Sequence, residues 1–414
     1  MVQPLIERHI APILADALRD SRAVCLVGPR QAGKSTLARQ LVATGVYDAE
    51  FLTLDNEATR NAALTDPTGF VAALTRPTII DEIQRAPDLM LAIKERLDDN
   101  QERGQFLLTG SANIMTVPSI RDALPGRIEY VHLWSFSQGE LARSRESFVD
   151  QLFGGAFPNV VAAPVGRQAY TDITVAGGYP DAYQRTPRSR ARFFASYINS
   201  IIGQDVSDVA HVRNVADVGR LLRLLATRSA GLISFAGMSR DLGIDDKTVK
   251  SHTTVLEDLL LFRRHQPWYT NLGNREIKSP KGYITDSGLL SFLIGADSSR
   301  IIREDAIAGL MFETFSVMEL VRQADWAEEI ATVYHYRDKD GREADAVLER
   351  QDGSVIAIEV KSSASVADGD FRGLRHLRAK LGSRFRAGAV LYTGARTLPF
   401  GDRLAAVPLR GLWQ

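Results

Sequence analysis

A glycine-rich motif lies near the start of the chain. Its residues follow an apolar run and fit the pattern GxxxxGK[ST]: Gly28, Pro29, Arg30, Gln31, Ala32, Gly33, Lys34, Ser35 and Thr36. Glycines let successive backbone N–H groups curve around an anion, and a following helix points its partially positive end at the same phosphates. Lys34 is expected to reach the β- and γ-phosphates of ATP, and the Ser35 hydroxyl to bind Mg²⁺. The pattern therefore predicts nucleotide binding.

An acidic pair closes a second apolar run, residues 77–80. Asp81 is predicted to be the second Mg²⁺ partner, through water. Glu82 follows at a position where a carboxylate can polarise an attacking water molecule. A solvated pair of acids at a strand end is the alternative, but beside a complete phosphate loop the pair favours ATP hydrolysis over binding alone.

Further polar groups are candidates for the hydrolytic site. A third apolar run ends in a Thr-Gly-Ser-Ala-Asn segment, in which Ser111 or Asn113 is predicted to orient the water. An ordinary Thr-Gly-Ser turn explains this segment equally well. Arg127 is a candidate for charge stabilisation at the γ-phosphate, in its own chain or from a neighbouring subunit. A surface charge is the alternative for Arg127.

A second group of chemically active side chains lies towards the C-terminal end. Asp345 precedes an Asp-Gly turn, and Glu359 and Lys361 follow it, in two alternating runs that predict a β-hairpin. Period two places Glu359 and Lys361 on one face beside Asp345, and Glu313 on the predicted helix 309–322 adds a third acid. Carboxylates that bind Mg²⁺ and a lysine that steadies a water are what phosphodiester hydrolysis needs. An exposed charged hairpin is the alternative.

These side chains require two α/β regions to position them. Over residues 1 to about 150, short β-like runs alternate with helical patterns, which predicts a parallel sheet covered by helices. The predicted strands of this region are 23–27, 51–54, 78–80 and 105–108. From about residue 311 a helix precedes further strands, predicted at 333–336, 344–349, 355–360 and 389–392. The fold class is therefore α/β, with a P-loop NTPase sheet first and a second α/β region last.

The middle of the chain is predicted to contain a helix-turn-helix. Residues 234–241 form the first helix, 242–246 the turn and 247–257 the second helix, capped by Asp245 or Asp246. The residues expected to face outward, as in a DNA-reading helix, are Lys247, Lys250, Ser251 and Thr254. A wing that contacts phosphates is expected from Arg263, Arg264, His265, Trp268 and Tyr269. Because nearby acids cancel much of the positive charge, a packing or partner-binding role is equally open.

The order of these motifs resembles one prokaryotic group of AAA-type ATPases with an uncharacterised C-terminal domain. The segments that carry the resemblance are the phosphate loop, the Asp-Glu strand, LLTGSAN, residues 134–140, Gly177-Gly178-Tyr179-Pro180, Tyr197, Asp205 and residues 283–289. The resemblance implies an AAA-like core with a lid, and it supports Lys34, Asp81, Glu82 and a sensor at Ser111 or Asn113. It implies little about the substrate.

The C-terminal segment from Glu313 through Tyr392 resembles the PD-(D/E)xK nuclease superfamily. Asp345, Glu359 and Lys361 take its three motif positions, although no proline precedes Asp345. The resemblance implies a nuclease-like fold and Mg²⁺ bound by the acids, and it leaves nuclease activity open.

Composition limits the classes of protein that fit. Lys plus Arg number 50 and Asp plus Glu number 50, so a histone-like or acidic-tail protein is excluded and any nucleic-acid contact must come from a local patch. The single cysteine, Cys25, allows no internal disulfide and no cysteine zinc site, and it is predicted to be a buried apolar residue. The sequence shows no signal peptide and no membrane-spanning run, so we expect a cytoplasmic protein without a membrane partner.

Four regions are predicted: an AAA-type ATPase core (1–165), a helical lid (166–215), a winged helix-turn-helix region (216–300) and a nuclease-like region (301–414). The leading hypothesis is a Mg²⁺-dependent ATPase whose nucleotide state controls a DNA-binding, nuclease-like C-terminal half. The alternative is an ATP-dependent switch that binds a protein partner, with an inactive nuclease-like fold as scaffold. Assembly into a homo-oligomer is left open.

Overall fold

A computed structural model of the chain describes residues 5–111, 126–160, 166–206, 214–271, 273, 275 and 278–414. The chain divides into two compact units. The first consists of Met1–Ser135, Ser200–Val215 and Asp258–Leu260, and the second of Phe136–Asn199, Ala216–Glu257 and Leu261–Gln414. Within the described ranges, no helix is both long enough and apolar enough to cross a membrane.

A five-stranded sheet forms the centre of the first unit, in the order β2-β3-β4-β1-β5. Its strands are β1 (Ala23–Gly28), β2 (Glu50–Thr53), β3 (Thr78–Asp81), β4 (Phe106–Ser111) and β5 (Ile128–His132). Every neighbouring pair is parallel, and β1 is buried along its whole length. Burial on both faces explains its continuous apolar sequence, in which Cys25 is 1% exposed. The four predicted strands are confirmed, and β5 was not predicted.

Helices cover this sheet, and two of them begin at residues whose side chains cap the helix. They are α1 (Ala11–Asp20), α2 (Lys34–Ala43), α3 (Glu57–Thr65), α4 (Pro67–Ala72) and α5 (Leu89–Asp99), with a 3₁₀ turn at Ile83–Arg85. The side chain of Asn56 accepts from Thr59 N at the start of α3, and Asp66 accepts from Gly69 N at the start of α4. Such caps satisfy backbone N–H groups that a helix leaves unpaired.

The remaining helices are α6 (Gln138–Ala142), α7 (Phe148–Phe153), α8 (Arg167–Ala176), α9 (Pro187–Ser200), α10 (Val215–Thr227), α11 (Phe235–Leu242), α12 (Asp246–Asp258), α13 (Ser287–Ile294), α14 (Ser298–Arg303), α15 (Asp305–Trp326) and α16 (Arg372–Leu381). Short π or 3₁₀ segments cover Ile201–Asp205, Asp368–Phe371, Gly382–Arg384 and Leu409–Trp413. The helix α15 is buried on most of its circumference, as expected of a helix packed from several sides.

The predicted helix, turn and helix correspond to α11 and α12. Gly243 ends α11 in the left-handed conformation (φ 70°), and Asp245 accepts from Thr248 N at 3.0 Å at the start of α12. Val249 and Leu256 are buried. As predicted, the exposed residues of α12 include Lys247, Lys250, Ser251 and Thr254.

A three-stranded antiparallel sheet completes this part of the second unit. It consists of β6 (Gly231–Leu232), β7 (Phe262–His265) and β8 (Lys281–Ile284), in the order β6-β8-β7. The wing predicted to contact phosphates is wrong in part: His265 and Trp268 are buried, and the Arg264 guanidinium donates to Glu257 at 2.8 Å. His265 and Trp268 pack inside the fold and Arg264 is held by Glu257, so these three side chains do not form an exposed wing.

A six-stranded mixed sheet forms the C-terminal part, in the order β13-β14-β12-β11-β10-β9. Its strands are β9 (Ala331–Arg337), β10 (Glu343–Arg350), β11 (Val355–Val360), β12 (Phe385–Tyr392), β13 (Leu398–Pro399) and β14 (Leu404–Pro408). The strands β10 and β11 form the predicted hairpin, and α16 provides the crossover that parallel β11 and β12 require. This sheet is separate from that of the first unit.

Candidate functional site

The phosphate loop connects the end of β1 to the start of α2. A Cβ on Gly28 would overlap the carbonyl oxygen of Leu133, so only glycine fits there. Gly33 has φ 99° and Gln31 has φ 61°, both in the left-handed region that glycine adopts at least cost. Gly28 thus allows close packing at one end of the loop, and Gly33 allows the turn into the helix at the other end.

Lys34 is buried inside this loop, with 5% of its surface exposed. Its Nζ donates to the carbonyl oxygens of Gly28 and Pro29, each at 3.0 Å. Ammonium groups have a strong preference for full negative charge, and the adjacent N-terminus of α2 has the same preference. The loop therefore places a cation and a helix N-terminus where phosphates are expected.

A short hydrogen-bond network joins the loop to the acidic strand. The Ser35 hydroxyl donates to Asp81 Oδ1 at 2.7 Å, and the Thr109 hydroxyl donates to the same oxygen at 2.5 Å. Three elements, α2, β3 and β4, thereby converge on one carboxylate. Hydroxyl and carboxylate oxygens are the ligands that Mg²⁺ prefers, so the donor set of Ser35 and Asp81 fits this ion.

Glu82 lies immediately beyond this network. Its backbone is left-handed (φ 60°, ψ 44°), which is unusual for a residue with a Cβ and is found at functional sites. The Glu82 N–H group lies 3.4 Å from Thr109 Oγ1, and its carboxylate accepts from the Gln84 side chain. The turn and the amide of Gln84 together orient the predicted base.

Of the remaining candidates for the nucleotide site, those that the structure describes lie at different distances from the phosphate loop. Ser111 ends β4 and pairs with Gly28, so its backbone lies beside the phosphate loop. Asn113 lies outside the described residues. Arg127 immediately precedes β5, at the amino edge of the parallel sheet, whereas the phosphate loop follows the carboxyl end of β1.

Arg127 instead forms an ion pair with Asp98. Its Nε lies 2.5 Å from Asp98 Oδ1, and this hydrogen bond raises the pKa of Arg127 and lowers the pKa of Asp98. The own-chain role predicted for Arg127 at the γ-phosphate is therefore wrong, because sheet polarity places it at the opposite edge. Only a role from a neighbouring subunit stays a prediction.

Arg8 is a contributor to the loop that the sequence did not reveal. Its guanidinium donates to Ala32 O at 2.9 Å and to Trp134 O at 2.6 Å, and 5% of the residue is exposed. It links the phosphate loop to the segment after β5. No local pattern predicts this contact because its partners are distant in sequence.

The predicted hairpin brings the C-terminal acids and lysine together. The Lys361 ammonium donates to Glu359 Oε1 at 2.7 Å, as expected for side chains on one face. Asp345 Oδ2 accepts from the backbone N–H of Val360 at 2.9 Å, which places it on the neighbouring strand beside Glu359. Glu359 and Asp345 are both 5% exposed.

A second lysine, absent from the prediction, enters this group from β8. Lys281 Nζ donates to Glu313 Oε1 at 2.7 Å and to Asp345 Oδ1 at 2.9 Å. The Tyr283 hydroxyl donates to the same Glu313 oxygen at 2.9 Å. The spacing of Lys281 and Tyr283, two residues apart in a strand, is the sequence signal that these side chains share a face.

Burial and charge shift the pKa values of these groups. Burial, with the charge of Asp345, raises the pKa of Glu313 to about 8 and raises the pKa of Glu359 well above its usual range. Burial alone lowers the pKa of Lys281, but Tyr283, Asp345 and Glu313 raise it well above its usual range. Lys281 therefore stays charged, whereas Glu313 and Glu359 take up protons at a higher pH than ordinary glutamates do.

The three acids predicted to bind Mg²⁺ are thus paired with ammonium groups, Glu313 and Asp345 with that of Lys281 and Glu359 with that of Lys361. Among the residues that the structure describes, no three His, Cys, Asp or Glu side chains are arranged to hold a metal ion. The donor set of Glu313, Asp345 and Glu359 does not fit a divalent cation in this arrangement. Sequence spacing alone did not reveal the lysine from another part of the chain.

Two other motifs of the sequence meet each other within the second unit. Asp286 accepts from Gly178 N and from Leu289 N, each at 2.9 Å, and so joins the Gly-Gly-Tyr-Pro segment to the start of α13. The hydroxyls of Tyr179 and Tyr197 lie 2.8 Å apart. These residues connect structural elements, which accounts for their types without a catalytic role.

Comparison with known proteins gives matches along the chain. Residues 20–142 match an AAA domain, residues 167–300 a domain of unknown function (DUF8612), and residues 308–412 another domain of unknown function (DUF4143). Uncharacterised proteins of Mycobacterium bovis and Mycobacterium tuberculosis are 29% identical over 411 residues, covering 98% of this chain and 84% of theirs.

Among solved structures, the chain is similar to the RuvB Holliday junction branch migration motor of Thermotoga maritima, with 16% identity and a TM-score of 0.29. That alignment covers 63% of this chain and 90% of RuvB. A likeness this weak carries no argument about function. The match of residues 20–142 to an AAA domain, together with the five-stranded parallel sheet, supports an AAA-type P-loop ATPase domain in the N-terminal part of the chain.

Proposed function

We propose that the chain is a Mg²⁺-dependent ATPase. The observation that carries this proposal is the convergence of Ser35 and Thr109 on Asp81 Oδ1, at 2.7 and 2.5 Å. Phosphate loops occur without hydrolysis, but a loop joined to an acidic strand has both parts that phosphoryl transfer requires. The AAA domain match over residues 20–142 agrees with this function.

Each side chain of the site has a distinct task in this proposal. Lys34 and the loop N–H groups bind the phosphates, and Ser35 and Asp81 would hold Mg²⁺, which when bound neutralises phosphate charge. Glu82 accepts a proton from the attacking water, and the left-handed turn directs its carboxylate. Thr109 and Gln84 are positioning residues because they act through Asp81 and Glu82.

Turnover and nucleotide binding test the proposal together. Lys34→Ala is expected to abolish ATP binding, measured by titration calorimetry. Glu82→Gln is expected to keep binding and to lower turnover by about 100-fold or more, since it removes a general base. Glu102→Gln, on an exposed carboxylate of the same unit, is the matched control and should turn over at the wild-type rate. Wild-type turnover in the Glu82→Gln protein would remove Glu82 as the base.

DNA binding by the middle region is a second candidate function. It is favoured by the exposed face of α12, which presents Lys247, Lys250, Ser251 and Thr254. In this proposal the nucleotide state of the ATPase controls how that face engages DNA. The competing proposal is a switch that binds a protein partner through the same half.

ATP turnover with and without double-stranded and single-stranded DNA separates the two proposals. Stimulation of turnover by DNA that is lost in Lys247→Gln/Lys250→Gln supports DNA binding. In this double variant, the slope of the logarithm of DNA affinity against the logarithm of salt concentration should fall in magnitude by about 2. Lys339→Gln, on another exposed lysine, should leave both quantities unchanged. Turnover that is indifferent to DNA favours the protein-partner switch.

A further inference from the structure

The carboxylate group of the second unit is built around a lysine, although its resemblance to a nuclease site implies a metal ion. We call Lys281, Glu313, Asp345, Glu359 and Lys361 the Lys281 cluster. Lys281 Nζ lies 2.7 Å from Glu313 Oε1 and 2.9 Å from Asp345 Oδ1. Lys281 is 5% exposed, so its ammonium depends on these partners.

Four of the six carboxylate oxygens of the cluster accept hydrogen bonds, whereas Glu359 Oε2 is buried without a hydrogen-bond partner. Glu313 Oε1 accepts from Lys281 and from the Tyr283 hydroxyl. Both oxygens of Asp345 are engaged, one by Lys281 and the other by the Val360 N–H group. A divalent cation bound between Glu313 and Asp345 would have to displace the Lys281 ammonium from both.

The charge balance of the cluster opposes an additional cation. Fully ionised, Glu313, Asp345 and Glu359 carry three negative charges, and Lys281 and Lys361 carry two positive charges. Because the pKa values of Glu313 and Glu359 are raised, −1 is the most negative net charge of this set, and a divalent ion would turn it into +1 or a more positive charge inside a buried site. Uncompensated buried charge is strongly unfavourable.

We propose that the Lys281 ammonium takes the place of the divalent cation in this nuclease-like site. The C-terminal region then folds without metal, and its acids form an ion-pair network that links structural elements. This network connects β8, which carries Lys281, to α15 through Glu313 and to β10 through Asp345. The inference does not depend on the ATPase proposal, because it concerns other residues and another ion.

Binding of Mn²⁺ to the full-length, nucleotide-free chain tests this inference. Electron paramagnetic resonance counts bound Mn²⁺ per chain. Wild type and Asp345→Asn are expected to bind equal numbers, since Asp345 holds no metal. Lys281→Met is expected to bind one more Mn²⁺ than wild type, and Lys281→Met/Asp345→Asn to lose it again. Lys278→Met, on an exposed lysine nearby, should match wild type.

Two results would overturn the inference. One is a Mn²⁺ site of the wild-type chain that Asp345→Asn removes. The other is a folded Lys281→Met protein, with wild-type ATP turnover and circular dichroism, that gains no site. If Lys281→Met does not fold, the comparison of wild type with Asp345→Asn decides by itself.

Discussion

Two lysines of this chain are equally buried but have different surroundings. Lys34 and Lys281 are each 5% exposed. Lys34 donates to the carbonyl oxygens of Gly28 and Pro29 in the phosphate loop. Lys281 donates to the carboxylates of Glu313 and Asp345 in the second unit. The first lies among backbone dipoles, and the second lies between two acids.

This difference distinguishes the ligand-binding site around Lys34 from the structural ion-pair network around Lys281. Carbonyl dipoles stabilise an ammonium less than carboxylates do. Binding of an anion to the loop therefore stabilises the Lys34 ammonium further. The acids around Lys281 already supply opposite charge, and a further ligand gains little there. Burial of a charged residue therefore indicates a ligand site only when its partners are considered.

The largest effect is expected from removing each lysine in turn. Lys281→Met should lower the free energy of unfolding of the second unit by about 3–5 kcal/mol, because it leaves two buried carboxylates without their cation. Lys34→Met should abolish ATP binding but cost much less stability, since it exposes no acid of the loop. Urea denaturation followed by circular dichroism measures both. Equal losses would contradict the distinction between the two lysines.

Acid should weaken the surroundings of Lys281 through a nearby histidine. Burial, followed by the charge of Lys281, lowers the pKa of His335 to about 4 from its ordinary 6.5. The unfolded chain then binds a proton that the folded chain does not, so stability falls as pH drops below about 6.5, by about 2 kcal/mol near pH 5.

His335→Gln should remove this part of the acid dependence. The measurement is the difference in unfolding free energy between wild type and variant across the range from about pH 7 to pH 4. Thr332→Gln, at an exposed position of the same strand, changes no titrating group and is the control, so it should leave the dependence as in wild type. A difference between wild type and His335→Gln that does not change with pH would contradict the expectation.

Gly28→Ala should disturb the phosphate loop rather than the Lys281 cluster. The added Cβ would overlap the carbonyl oxygen of Leu133, so the loop must shift, at a cost of about 1–3 kcal/mol and with loss of ATP turnover. Gly309→Ala, inside α15 where a Cβ meets no atom, is the matched control. It should stabilise by up to about 1 kcal/mol, because alanine favours helix.

The smallest expected effect concerns the hydroxyl of Thr109. Thr109→Val keeps the shape but removes the 2.5 Å hydrogen bond to Asp81, which should cost about 1 kcal/mol. It should also raise the Mg²⁺ concentration at half-maximal ATP turnover, which a purely structural role would not do. Thr109→Ser, which keeps the hydroxyl, should restore the Mg²⁺ dependence. An unchanged Mg²⁺ dependence in Thr109→Val would remove its positioning role.

Local patterns predicted the elements that carry the nucleotide site. The apolar run before Gly28, the loop itself and the helix from Lys34 are contiguous, so their propensities act together. The hairpin of β10 and β11 was predicted for the same reason, from alternation and an Asp-Gly turn. β5 was not predicted because Ile128–His132 is neither a continuous apolar run nor a regular alternation, since only Ile128 and Val131 are buried.

Long-range placement decided the remaining features. Arg127 follows a Gly in the sequence, but the polarity of the parallel sheet places it at the edge away from the phosphate loop. Arg8 reaches Trp134 O, and nothing in the local sequence of either residue marks the other. Such contacts depend on how distant elements pack, and a single sequence does not encode them in any short pattern.

The amino-acid sequence by itself determined the phosphate loop, the acidic strand after it and the hairpin that carries Asp345 and Glu359, because each depends on residues within one or two neighbouring elements. Only the tertiary structure decided which cation the C-terminal acids hold. Lys281 and Asp345 are far apart in sequence, and their ion pair exists because β8 and β10 place both side chains in one buried site. Electrostatic partners are set by distance in space, which spacing along the chain does not supply.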